Sequence, residues 1–354
     1  MKRPTSTLPR GRATKLATVA KAARVSIGLA SRVLNDDPTL SVRDDTRRRV
    51  RMAAERLNYV PQASARALRE QRTRVIGLAV HDLSSTIVVD LLEGAREEAT
   101  ARDYMLLLTD ADEIAFNVAS RRLYLGGARI DGLVFQDGHA SLGETIDEIA
   151  TRMPTVVFNT PGRKLSPGVH VNEHLAGRSA AEYLIAAGHR HIGFLGGLEG
   201  SYTNSARLDG VKAAMADAGI GGLLHAVHGD WSALGGNVSL ERLLCDAPLA
   251  TGVITANAMI ATGALAASVH SKRSVPDTLS IIAIQDSWIA GFTAPTLTTV
   301  ALPLRELGQQ AVRSLLTYID GDDVKESQVI EKDPEIHVRQ SVAPPVCEPE
   351  RVSD

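Results

Sequence analysis

Apolar positions follow one rhythm before about residue 75 and another after it. In the first stretch they recur at helical spacing. Residues 17–23 (ATVAKAA) and 26–34 (SIGLASRVL) are predicted as two short helices, with Val19, Ala20 and Ala23 on one apolar face and Leu29, Ala30, Val33 and Leu34 on the other. Only Arg24-Val25 separates them, and Ser26 is placed to cap the second. A third helix is expected at about 44–58, started by a capping-box-like Ser41 and Asp44, with Val50, Ala53, Ala54 and Leu57 inside and Arg47, Arg48, Arg49 and Arg51 as a belt. Tyr59-Val60-Pro61 closes this three-helix unit, because the residue before a proline avoids the helical region. The following QASARALREQRT has helical propensity but is too short to hold a helix alone in water, so it is expected to order only against a partner or DNA.

From Val75 onward, short apolar runs alternate with amphipathic segments. Strands are predicted at 75–80, 105–109, 131–135, 155–158, 191–196, 252–256 and 280–284, and helices near 86–102, 205–218, 232–245, 257–269 and 304–319. Buried strands spaced by helices imply parallel sheets covered on both faces, and about 280 residues of this pattern suit two α/β lobes. The Pro-containing tail, 344–354, is expected to be disordered.

With 354 residues and 44% hydrophobic content the chain can bury two or three cores, which excludes a disordered tail or a miniprotein. It has no apolar run near the roughly 18 residues needed to cross a bilayer, and MKRPTSTLPRGR is followed by no apolar stretch of a secretory signal. Cys245 and Cys347 offer neither a disulfide framework nor metal-ligand spacing. Charge changes the picture more. Residues 1–74 carry 18 Lys and Arg against 6 Asp and Glu, a net of +12, while the remaining 280 residues carry 21 against 35, a net of −14. A basic unit on an acidic body is the footprint of a polyanion binder, although a solvated charge face would look similar.

The stretch ATVAKAARVSIGLASRVLN (17–35) resembles the helix-turn-helix of the LacI/GalR family of bacterial transcriptional regulators, through Val19, Ala20, Ala23, Val25, Ser26, Ser31, Arg32, Val33, Leu34 and Asn35. The similarity continues through Asn58-Tyr59-Val60-Pro61 and ARALREQRTRVIGL to about residue 343. It implies a small all-α helix-turn-helix DNA-binding domain plus an α/β two-lobed core like that of periplasmic binding proteins. The implied domains are a basic disordered extension (1–14), the DNA-binding domain (15–60), a hinge helix or linker (61–74) and an effector-binding and dimerisation core (75–343). Within the core the N-lobe takes about 75–171 plus 301–326 and the C-lobe about 172–300 plus 327–343.

By this resemblance, DNA contacts fall to Thr18, Ser26, Ile27, Gly28, Leu29, Ser31, Arg32, Asn35, Tyr59, Ala65, Leu68 and Arg69. Leu68 is the expected minor-groove wedge, with Arg69 beside it; packing of Leu68 on the core is the alternative. The family's turn glycine is Arg24 here, and Leu29 replaces its usual Thr. Ile27 and Gly28 stand where base edges are read, so direct readout is either apolar, as with a thymine methyl, or falls to Ser31 and Arg32; Arg32 bound to phosphate is the other option.

The resemblance also implies a small-molecule cleft between the lobes, contacted by Asp82, Asp137, Arg207, Trp231, Asn257, Gln285 and Asp286, with Trp288 a further candidate. Arg207 offers a forked donor, Asn257 a two-way hydrogen bonder and Trp231 a stacking surface; for Trp231, core packing is the alternative. Ser85-Thr86-Ile87-Val88 lacks the family's aromatic pair, and Ala258 and Gln285 stand where carboxylates are common, so a sugar, a glycoside and a nucleoside-like ligand, or no effector at all, all stay open.

No dinucleotide fingerprint, Walker A, nucleophile elbow or zincin motif occurs, so an enzyme is not expected, and neither is a cofactor or metal. His189 and His191 read as surface or capping residues beside a strand start. The expected protein is a cytoplasmic, nucleoid-associated repressor that binds a pseudo-palindromic double-stranded DNA operator as a homodimer under control of a small-molecule effector, with no membrane partner. A solute-binding α/β protein without specific DNA recognition is the alternative.

Overall fold

A computed structural model describes residues 14–37, 39–59, 72–83, 85–126, 129–138 and 142–346. The expected contacts Ala65, Leu68 and Arg69, most of the expected extension and linker, and residues 347–354 of the tail lie outside these. The chain divides into two compact units, Met1–Thr73 and Arg74–Asp354.

The first unit contains three helices: α1 (Leu16–Ala23), α2 (Ile27–Leu34) and α3 (Asp44–Arg56). Val19, Ala20, Ala23, Ala30, Val33, Val50, Ala53 and Ala54 form its core, the small residues allowing close helix contact. Arg24 ends α1 in the left-handed conformation, φ 56° and ψ 50°, so that its N–H reaches the carbonyls of Ala20 and Lys21. Ser26 then caps α2, its hydroxyl accepting from the Leu29 N–H at 3.1 Å. The capping box expected at α3 is not formed: Arg43 is its N-cap without a side-chain bond, and Asp44 and Asp45 in the first turn face the positive end of the helix instead.

The second unit holds two six-stranded sheets. Its strands are β1 (Val75–Val80), β2 (Met105–Asp110), β3 (Gly132–Gln136), β4 (Thr155–Phe158), β5 (Gly168–His170), β6 (Ile192–Gly196), β7 (Leu224–His228), β8 (Gly252–Thr255), β9 (Ser280–Ile284), β10 (Thr298–Ala301), β11 (Ser327–Val329) and β12 (Glu335–His337). The sheets run β11-β5-β4-β3-β1-β2 and β12-β10-β9-β8-β6-β7, with β12 the antiparallel member. In the first lobe, alternate residues enter opposite cores: Ile76, Leu78, Val134 and Val156 pack on one face, Ala79, Leu133, Phe135 and Val157 on the other. A sheet buried on both faces explains why these strands read as continuous apolar runs.

The flanking helices are α4 (Ile87–Ala101), α5 (Ala111–Phe116), α6 (Val118–Leu125), α7 (Gly143–Ala150), α8 (Glu173–Ala186), α9 (Tyr202–Asp217), α10 (Ala233–Asp246), α11 (Ala258–His270) and α12 (Leu304–Ile319). Three pairs cross so closely that glycines on each partner are required. A Cβ on Gly94 or Gly308 would strike the carbonyl of Arg305 or Leu91 across α4 and α12; Gly177 and Gly210 do the same for α8 and α9, and Gly236 and Gly263 for α10 and α11.

The chain passes between lobes after β5, after β10 and after β11. The last return was expected at 327 but follows Val329, because Ser327–Val329 pairs in parallel with β5 at the first sheet's edge. His189 is not a surface residue. It is 1% exposed, with Nδ1 at 3.0 Å from the Thr251 hydroxyl and Nε2 at 3.0 Å from the Ala343 carbonyl.

Candidate functional site

The helix-turn-helix residues divide by exposure. Thr18, Ser26, Ile27, Gly28 and Arg32 lie exposed, while Ser31, Asn35 and Tyr59 are half-buried. Leu29 is half-buried and packs against the helical core, so packing rather than an open DNA-facing position accounts for it. Asn35 donates to the Ser31 carbonyl at 2.6 Å and lies 3.3 Å from its hydroxyl. Arg32, in the last turn of α2, is clasped: Nε donates to Asp37 at 2.7 Å and Nη2 to Thr39 at 3.0 Å. The guanidinium, together with Thr39, holds the Asp37 carboxyl down to about 2. The basic belt of α3 is exposed but partly paired, Arg51 with Asp36 and Arg49 with Asp45.

In the second unit, residues at or just past the carboxyl ends of strands from both sheets, joined by Arg207 from within α9, converge on one cavity of about 200 Å³. This is where open α/β sheets place ligands. From the first lobe come His81 and Asp82 after β1, Gln136 and Asp137 at the end of β3, and Asn159 after β4; from the second come Arg207, Trp231, Asn257 and Gln285. Six of the seven residues expected in the cleft therefore line it. Asp286 does not. Its carboxylate turns away to Arg339 at 2.9 Å, His337 at 2.6 Å and Thr299 at 2.8 Å. Burial alone would raise its pKa, but these three bonds outweigh burial and hold it below the ordinary value. Trp288 is also absent from the lining: it is 63% exposed and packs on Phe292, with ring centroids 6.3 Å apart.

The cleft's polar groups are already tied into the scaffold. Arg207, 2% exposed, donates through Nε to Glu173 at 2.6 Å and through Nη1 to the Ala256 carbonyl, which leaves Nη2 outside these bonds. Asn257 caps α11, accepting from Ile260 N–H at 2.7 Å and donating to the Trp231 carbonyl at 3.0 Å. Its first task is thus to fix the Trp231 loop. The indole is half-buried against the lobe's core and lies so flat on Gly197 that a Cβ there would enter the ring. Gln285 bridges the lobes, donating to the Thr86 hydroxyl at 3.2 Å.

Asn159 was not anticipated from the sequence. It is 6% exposed, adopts a left-handed φ of 65°, lines the cleft, and its Oδ1 accepts no hydrogen bond from the described residues. The available signal was its place directly after the buried strand TVVF, where a doubly wound sheet opens its crevice. Among the described residues no cluster of His, Cys, Asp or Glu could hold a metal ion, and no helix is long and apolar enough to cross a membrane.

Two family models match: bacterial regulatory proteins of the lacI family over residues 15–62, and the periplasmic binding protein-like domain over residues 181–342. The transcriptional regulator DegA of Bacillus subtilis is 31% identical over 340 residues, 94% of this chain and 98% of that protein. The chain belongs to the LacI family. A second relative, the ribose operon repressor of Haemophilus influenzae, is 30% identical over 93% of this chain and 95% of its own length. The lac repressor dimer bound to operator and the anti-inducer ONPF shares the fold, with a TM-score of 0.80, 24% identity, and coverage of 94% of this chain and all of that one. Membership of the LacI family makes the chain a DNA-binding transcriptional regulator with a periplasmic-binding-protein-like core, and not an enzyme.

Proposed function

We propose that the chain is a repressor acting in the bacterial cytoplasm, at the nucleoid, binding a pseudo-palindromic operator as a homodimer and controlled by a small hydroxylated ligand in the inter-lobe cleft. The observation that carries the ligand is Asn159. A buried amide oxygen without a partner is costly, and a ligand hydroxyl donating to it removes that cost. The cleft's 200 Å³ falls below the roughly 300–1,000 Å³ of sites for drug-sized molecules, which suits a single ring. Trp231 and Ile87 offer apolar walls to such a ring, while Asp82, Asp137 and Arg207 Nη2 suit its hydroxyls.

Exposed apolar side chains support the homodimer. Trp288, Phe292, Leu234 and Val238 are 63%, 83%, 73% and 58% exposed on the second lobe, and Met105 and Phe116 are 71% and 66% exposed on the first. So many large apolar side chains exposed on one unit suit burial against a second copy. Two recognition helices would then reach half-sites about one helical turn apart. Gln285 and Thr86 supply a device for control: a ligand that strengthens or breaks this bridge shifts the lobe equilibrium, which the dimer transmits to the DNA-binding units. Leu68 and Arg69 keep their proposed minor-groove role, and Leu68→Ala should weaken specific binding far more than nonspecific binding.

The test uses a reporter under the operator and a set of pentoses, hexoses, methyl glycosides and nucleosides. Asn159→Gly removes the amide but tolerates the left-handed backbone, so it should abolish the response to whichever compound acts on the parent while leaving operator binding intact. An unchanged dose response in Asn159→Gly would place the ligand elsewhere.

A further inference from the structure

The recognition helix carries a glycine that its own domain does not require. Gly28 sits in the first turn of α2, its φ lies outside the left-handed range, and a Cβ built on it would meet nothing within 4 Å. Glycine inside a helix is unfavourable relative to alanine, so neither packing nor conformation within the domain accounts for it. A surface seated close against α2 from outside would account for it. Beside it Ile27, a large aliphatic side chain, is 54% exposed rather than packed.

The polar groups of α2 are partly engaged within the unit, the serine hydroxyls as acceptors and Arg32 as a donor. Ser26 accepts from the Leu29 N–H, Asn35 Nδ2 lies 3.3 Å from the Ser31 hydroxyl, and Arg32 is clasped by Asp37 and Thr39 at the far end of the helix. A carboxylate next to that guanidinium also opposes its approach to acceptor atoms on DNA. A helix-turn-helix reads base edges with the N-terminal residues of its second helix, and thymine alone among the four bases shows a methyl group in the major groove.

We propose that α2 reads its operator by methyl contact and close fit: Ile27 packs on the C5 methyl of a thymine, and Gly28 lets the helix backbone seat against the neighbouring base edge. This rests on the assignment of the chain as an operator-binding regulator.

The experiment measures the affinity of the full chain for its selected operator with each half-site thymine replaced in turn by deoxyuridine, which removes only the methyl. At one or two positions per half-site affinity should fall about fourfold, the loss expected for one buried methyl. In Ile27→Ala that uracil penalty should vanish. Gly28→Ala should slow hydrogen exchange of the α2 amides, because the helix is stabilised, yet weaken operator binding by about tenfold or more. These opposite signs separate a DNA contact from a folding defect. A half-site without thymine, uracil tolerated at every position, a penalty that persists in Ile27→Ala, or undiminished binding by Gly28→Ala would each overturn the proposal while leaving the regulator assignment standing. Failure to select any duplex would overturn both.

Discussion

Arg24 shows what a single residue contributes at the turn between α1 and α2. Its left-handed backbone is a conformation that glycine adopts freely and that costs other L-residues roughly 1–2 kcal/mol. Arg24→Gly should therefore stabilise the three-helix unit by about 1 kcal/mol, seen as slower hydrogen exchange across α1–α3; unchanged or faster exchange would contradict it. At the cleft, adjacency in sequence proved a poor guide. Gln285 and Asp286 are neighbours after β9, yet one lines the cavity and the other faces Arg339 and His337, because the chain turns at Gln285 with a left-handed φ of 80°. Arg207 was legible as a cleft residue, but its pairing with Glu173, 34 positions away, was not. Arg207→Ala would strand a carboxylate that is 2% exposed, and should cost about 3–5 kcal/mol in chemical unfolding of the core; a change under 1 kcal/mol would mean the pair is not buried in solution. Gly197→Ala, by displacing the Trp231 indole, should alter tryptophan emission and weaken ligand binding together.

At the scale of elements, legibility followed the length and apolar content of each run: the exposed edge strand β2 was legible as MLLLT, whereas the buried three-residue β5 was not. Apolar runs such as VIGLAV, TVVF and SIIAI announced central strands, because each is buried on both faces. Strands β5, β7, β10, β11 and β12 gave no such signal: LHAVH at an edge carries two histidines, TTVA is half threonine, and the other three are three residues long. Sheet pairing places these, and beyond β12 side-chain bonds hold the chain, among them that of His189. Together with Ser280 it fixes the Ala343 carbonyl and so the C-terminal segment. Burial pushes the His189 pKa below 6.5, so the unfolded state binds the extra proton more readily. The sign follows: this contribution is complete above pH 6.5 and is lost as pH falls from 6.5 through the lowered native value. The protection factors of residues 341–343, with exchange rates corrected for their intrinsic pH dependence, should fall on acidification below 6.5, and His189→Gln should remove that fall. A flat profile in the parent would contradict the assignment.

For the whole molecule, the two-part charge distribution was legible from the sequence alone, as was the division into a helical unit and two α/β lobes. The third passage of the chain between lobes was misplaced, because Ser327–Val329 is held by pairing to β5 rather than by any local pattern. The homodimer makes its own prediction. Trp288→Ser with Phe292→Ser should weaken association by tenfold or more in sedimentation velocity, and a sedimentation coefficient unchanged from the parent at every concentration would move the interface elsewhere. The central claim is that one chain joins a sequence-specific DNA reader to a ligand-responsive core. Selection of random duplex DNA by the full chain, at two salt concentrations and with and without the sugar and nucleoside set, tests it most directly. The account predicts an enriched inverted repeat with half-sites about one helical turn apart, bound far more weakly at the higher salt and shifted by at least one compound. Enrichment of no sequence in any condition would contradict it.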